Sequence, residues 1–111
     1  MLRLQSTADF ERVRREGRSH AHPLVVLITH RNGRDETRCG FAAGKSVGGA
    51  VKRNRAKRLM REAVRVRYAN LEPGWDLIFI ARAPLAQAAW AQTQTAVDNL
   101  LKRANVLKTD G

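Results

Sequence analysis

The chain lacks most of the features that assign a function quickly. It has one cysteine, Cys39, so no internal disulfide can brace it, which fits a reducing compartment. Its first ten residues contain no apolar stretch of the kind a secretory signal needs. Its longest apolar runs, 24–28 and 77–81, are far too short to cross a bilayer. Together these absences predict a cytoplasmic protein with no membrane partner. Acidic residues are also scarce, ten against 21 lysines and arginines, and no two are spaced like the carboxylates of a two-metal nuclease. Three histidines are present, and His20 and His22 lie two apart on an expected strand, where both could face one way. With no cysteine or carboxylate cluster beside them they read as surface histidines, not as a zinc site. There is no zinc-finger spacing, leucine zipper or RRM aromatic signature.

Positive charge is what the chain does have, and it is unevenly placed. The formal net charge is +11, and residues 45–67 hold nine basic residues against one acid, Glu62. So concentrated a field calls for a polyanion, of which nucleic acid is the commonest. Arginine outnumbers lysine 16 to 5, which favours bidentate phosphate contacts and stacking on bases. A length of 111 residues and 43% apolar content suit one domain, 1–111, with a modest core and an ordered part near 2–105.

Periodicity and punctuation predict the order α-β-β-α-β-α, a small α+β sandwich with helices against one sheet. Ser6 or Thr7 caps a first helix that carries Phe10 and Val13 on one face and stops at Gly17. A buried strand is expected over 24–29, an Asn32-Gly33 hairpin turn after it, and a second strand over 37–43. Residues 44–49 form a flexible connection to a basic helix over about 50–70. Ala56, Leu59, Met60, Ala63 and Val64 follow the helical period and form its core face. A turn at 72–74 leads to a uniformly apolar strand over 76–81, which Pro84 closes. A last helix follows over about 85–104, with Ala89, Val97, Leu100 and Leu101 as buried positions.

Two motifs compete for the chemistry. The segment from Gly40 to Ser46 resembles a phosphate-binding loop, but three residues separate its glycines where the Walker pattern needs four. It reads as a glycine connection into the basic helix. That helix is more informative: Arg53, Lys57, Arg61 and Arg65 repeat every four residues, so like charges repel along one line and destabilise the isolated helix. An anionic partner supplies the compensation. The face of alanine, valine and leucine suits a core better than a membrane surface. Charge alone leaves DNA and RNA both open, with phosphate and shape as the expected readout.

The residues resemble those of the bacterial ribonuclease P protein subunit over roughly 2–105. The resemblance is carried by Asp9-Phe10-x-x-Val13 with Gly17, and by Arg38-x-Gly40, Lys45 and Val47-Gly48. It continues through the run from Ala50 to Leu59 with Arg53-Asn54-Arg55 at its centre, and the strand from Asp76 to Arg82. It implies the small subunit of a ribonucleoprotein endonuclease that removes the 5′ leader of precursor tRNA. The RNA subunit would carry the chemistry with Mg2+ bound mainly by that RNA, and no catalytic residue or metal ligand would lie on the protein. The protein would bind the catalytic RNA subunit and the precursor leader, and be monomeric outside the holoenzyme. The implied fold has a left-handed β-α-β crossover around the basic helix and is shared with a ribosomal-protein domain.

Carried over residue by residue, the resemblance implies catalytic-RNA contacts by Lys45, Lys52, Arg53, Asn54, Arg55, Lys57, Arg58, Arg61 and Arg65. Arg55 sits close to the apolar stripe and so has an inward alternative. The leader would meet Phe10, Arg14, Ile28 and Arg82; Arg14 and Ile28 stand where the family often has aromatics. Phe10 either stacks on a leader base or anchors the first helix in the core. The alternative function is a non-catalytic RNA-binding or RNA-chaperone module.

Overall fold

The computed structural model describes residues 1–109. Five strands and three α-helices follow in chain order: β1 (Leu2–Arg3), α1 (Thr7–Glu16), β2 (Arg18–Ala21), β3 (Val25–Arg31), β4 (Arg38–Ala43), α2 (Ala50–Arg67), β5 (Trp75–Ala81) and α3 (Trp90–Arg103). The α+β architecture expected from the sequence is present, with two further strands, β1 and β2, that are too short and too polar to show a periodic signal. One mixed sheet runs β1-β4-β5-β3-β2.

Sheet order corrects one expectation. Asn32-Gly33 does not close a hairpin, because β5 lies between β3 and β4 and pairs with both. The Asn32 side chain instead folds the loop on itself, accepting from the Arg34 amide at 2.8 Å and donating to Asp76 at 3.0 Å. The loop thus wraps the start of β5. Strands β4 and β5 are parallel and joined through α2, a single β-α-β crossover.

The two sheet faces are covered unequally. Leu27, Cys39, Phe41, Leu77 and Phe79 on one face pack under α2 and α3 with Met60, Val64, Val97, Leu100 and Leu101. The other face carries a smaller cluster, Leu4, Val13, Ile28 and Ile78, under α1. Ser6 caps α1 through the Asp9 amide, and the Gly17 amide closes it by donating to Val13 at 2.7 Å. Along α2 the buried positions are Ala56, Met60, Ala63 and Val64, while Leu59 is half-buried.

The last helix starts later than its composition suggests. Pro84 opens a 3-10 turn, Ala83–Gln87, and Ala88 and Ala89 are extended before α3 begins at Trp90. Ala89 is therefore exposed, not part of the core. Its amide donates to the Gln92 side chain at 2.8 Å, half of a capping box. The break has a tertiary cause: the Arg55 guanidinium takes the carbonyls of Ala86 and Ala88.

Candidate nucleic-acid interface

Helix α2 crosses the sheet with its alanine-rich face inward, which turns its cations outward. Lys52, Asn54, Arg58 and Arg65 are exposed, and Arg53, Lys57 and Arg61 are half-exposed. Among the described residues, no carboxylate lies within salt-bridge distance of Lys45, Lys52, Arg53, Lys57, Arg58 or Arg61. The far end of the helix differs. Arg65 pairs with Glu62, and Arg67 pairs with Asp98 at 2.8 Å. Those contacts hold both carboxyls below the usual range, the hydrogen bonds being the largest cause in each. Along α2, uncompensated charge is thus concentrated in the N-terminal two-thirds and the turn before it.

That turn is shaped by Gly48, whose φ of 133° is closed to side-chain-bearing residues. A Cβ there would also lie 2.7 Å from Cδ of Lys52, so the lysine stem lies across the bare backbone. Gly49 leads into α2 with no side-chain cap, leaving first-turn amides and the positive helix end beside Lys45 and Lys52.

A second feature lies on the opposite sheet face. The Phe10 ring sits on Gly40, where a Cβ would be 2.6 Å from the ring. Only glycine admits the ring this close to the strand. Phe10 is half-exposed at the edge of the small cluster that contains Ile28, and Val26 and Ile80 extend that apolar floor beyond α1. Ile28 is 8% exposed, so it supports this floor more than it lines it. Arg14 stands one turn after Phe10 on α1 and is exposed, as is Arg82, two residues beyond Ile80 on the same strand parity. Arg82 also donates to the His22 carbonyl at 3.4 Å.

A model of the family described as Ribonuclease P matches residues 1–105. The chain belongs to the ribonuclease P protein family. A ribonuclease P protein component from Herpetosiphon aurantiacus is 50% identical over 104 residues, covering 94% of this chain and 85% of that protein. One from Roseiflexus castenholzii is 47% identical over 96% of this chain and 88% of its own length. Among solved structures, the RNase P protein of Staphylococcus aureus superposes with a TM-score of 0.87 at 34% identity, covering 97% and 99% of the two chains. That of Thermotoga maritima gives 0.82 at 29% identity over the whole of both.

Within this ribonuclease P protein fold the RNA-contact residues carried over from the sequence gather on one helix and its approach, with one difference in role. Arg55 is half-buried, and its guanidinium holds two backbone carbonyls under α2. The proposed leader residues fall on the other side of the sheet.

Sequence reasoning missed a charged network beneath α1. Asp76 is fully buried at the start of β5 and accepts from Arg12 at 2.8 Å, from Arg38 at 2.7 and 2.9 Å, and from Asn32 at 3.0 Å. Burial pushes its carboxyl up, but those donors outweigh burial and hold it below the usual range. Asp9 on α1 joins at 3.3 Å to Arg12 and 3.4 Å to Arg38. A lone acid opening an apolar strand was the available signal; its partners are 38 to 64 residues away in sequence. Asp9 and Asp76 are already paired with arginines, a donor set that does not fit a divalent cation. Among the described residues no three histidines, cysteines or carboxylates come together, and His30 faces Glu16 at 3.6 Å. No helix among them is long and apolar enough to cross a membrane.

Proposed function

We propose that the chain binds the catalytic RNA of ribonuclease P through the N-terminal two-thirds of α2, and that the assembled ribonucleoprotein removes the 5′ leader of precursor tRNA. One observation carries this reading: a line of cations, Lys52, Arg53, Lys57, Arg58 and Arg61, without carboxylate partners, on a helix whose other face is bolted to the core. Like charges at this spacing cost the free protein stability, and a phosphate backbone supplies the missing counter-charge with release of counterions. Lys45 extends the line, and exposed Asn54 adds uncharged hydrogen bonding that can fix the register of the RNA.

The groove beside α1 takes the leader as a single strand. Phe10 offers a partly exposed ring over the apolar floor of Val26 and Ile80, with Arg14 and Arg82 for phosphates. Binding sites on both faces of one sheet let the protein hold leader and catalytic RNA together, screening their repulsion. Mg2+ belongs with the RNA in this reading, and the chemistry with it, since the protein's clustered carboxylates are taken by arginine. No step is assigned to a protein-held metal.

Reconstitution tests the reading. Added to a bacterial ribonuclease P RNA and precursor tRNA at low magnesium, the protein should stimulate cleavage at the mature 5′ end. RNA binding without that stimulation would leave a plain RNA-binding module instead.

A further inference from the structure

A third basic feature lies away from both surfaces. Between the β2 edge of the sheet and the C-terminal end of α3 is a cleft of about 720 Å3 lined by Arg18, His20, Arg31, Trp75 and Arg103, with Glu16 as its acid. The register places Trp75 opposite Arg31 at the start of β5, whereas Ala81 at its other end lies opposite Ala43, from which β4 leads to Lys45. Six strand steps separate those ends, about 20 Å. The cleft is therefore distinct from the N-terminal end of α2.

Its arginines are held ready. The Arg31 guanidinium lies 4.2 Å from the centre of the Trp75 ring, a stacked cation that leaves its N–H edges outward. Arg103 is steadied by the Ala21 carbonyl at 2.7 Å. Arg18 is exposed, with no carboxylate in salt-bridge range among the described residues. Glu16 already faces His30 and Arg15. Burial lowers the His20 pKa, and the fields of Arg18 and Arg103 lower it further. The negative end of α3 points here with about half a charge, which three arginines exceed.

We infer that Arg18, Arg31 and Arg103 form a second phosphate-binding surface that holds an RNA phosphodiester segment at the β2 edge, away from the N-terminal end of α2. The inference rests on the reading of the chain as an RNA-bound subunit. The RNA segment can come from the catalytic RNA or from the body of precursor tRNA, and the same measurement separates them.

The test is the reconstituted holoenzyme with Arg18→Gln and Arg31→Gln, which remove the charge but keep a polar, hydrogen-bonding side chain. The variant, checked against wild type by thermal unfolding, should bind roughly 3- to 10-fold more weakly, with a log-affinity against log-salt slope shallower by about 1 to 2. A loss seen with the RNA subunit alone assigns the segment to that RNA; a loss seen only for precursor binding to the holoenzyme assigns it to the substrate. Unchanged affinity and slope in both arms, with wild type binding normally, would overturn the second surface and leave the α2 reading standing. Failure of wild type to bind would remove both. A tethered probe supplies an independent readout. Cys39 is fully buried and its thiol is pushed up to about 12 by burial, so His20→Cys, whose register partner Leu27 lies on the α3 side of the sheet, adds a selectively reactive thiol at the cleft. An iron chelate attached there should cut the RNA at a discrete set of nucleotides, and absence of cutting would sink the proposal.

Discussion

Asp76 has no exposed surface yet keeps its charge, because three donors from α1, β4 and the β3–β4 loop meet its two oxygens. Removing that charge leaves Arg12 and Arg38 facing each other beneath the helix. Asp76→Asn should therefore cost about 3 kcal/mol, read from urea unfolding, and loosen α1 over the groove. The Phe10 ring packs on Gly40 and still shows a free side, so the core anchor and the stacking surface that looked exclusive in the sequence are compatible in the fold. Phe10→Ala should weaken binding of precursor tRNA about 10-fold more than of mature tRNA, as loss of one stacked base implies. Equal losses for the two RNAs would assign the ring to the core alone.

On the scale of elements, α2 divides into an end that is paired and an end that is not. Arg65 and Arg67 are neutralised by Glu62 and Asp98, while the cations from Lys52 to Arg61 face outward without such partners among the described residues. Substituting Arg53 and Arg61 by alanine should weaken binding to the RNA subunit and reduce the salt slope by roughly 1 to 2. An unchanged slope would take both residues out of the interface. Arg55 is expected to behave differently, because its guanidinium holds the turn between β5 and α3. Arg55→Ala should lower stability by about 1–3 kcal/mol, with two carbonyls losing their donor, and leave the salt slope as in wild type.

For the whole molecule, Asp9, Asp76 and Asp98 tie segments together through arginine, whereas most of the bases are exposed. Asp76 and Asp98 both titrate below their unfolded value in the folded protein. Their stabilising effect is complete above the unfolded value and disappears as pH falls through the folded one. Urea midpoints should fall slightly as pH drops through about 6, where the folded state resists protonation of His20, and more steeply below about 4, with a shallower acid decline in Asp76→Asn. An acid decline as steep in Asp76→Asn as in wild type would take Asp76 out of it.

The basic helix, its core face, the α+β class and the polyanion partner were legible in the sequence, because each rests on local periodicity or on charge density along the chain. The resemblance of the run from Ala50 to Leu59 then pointed to the family. What the sequence could not decide was where distant segments meet. The order β4-β5-β3 depends on β5 inserting between β3 and β4, which are consecutive in the chain, so the Asn32-Gly33 signal marked a real change of direction but the wrong pairing. The late start of α3 depends on Arg55, some thirty residues upstream, taking carbonyls that would otherwise continue a helix. The buried Asp76 network and the arginine cleft at the β2 edge likewise join residues from four or more segments. Local propensity acts over a few residues, whereas desolvation and charge pairing act across whatever the fold brings within a few ångströms.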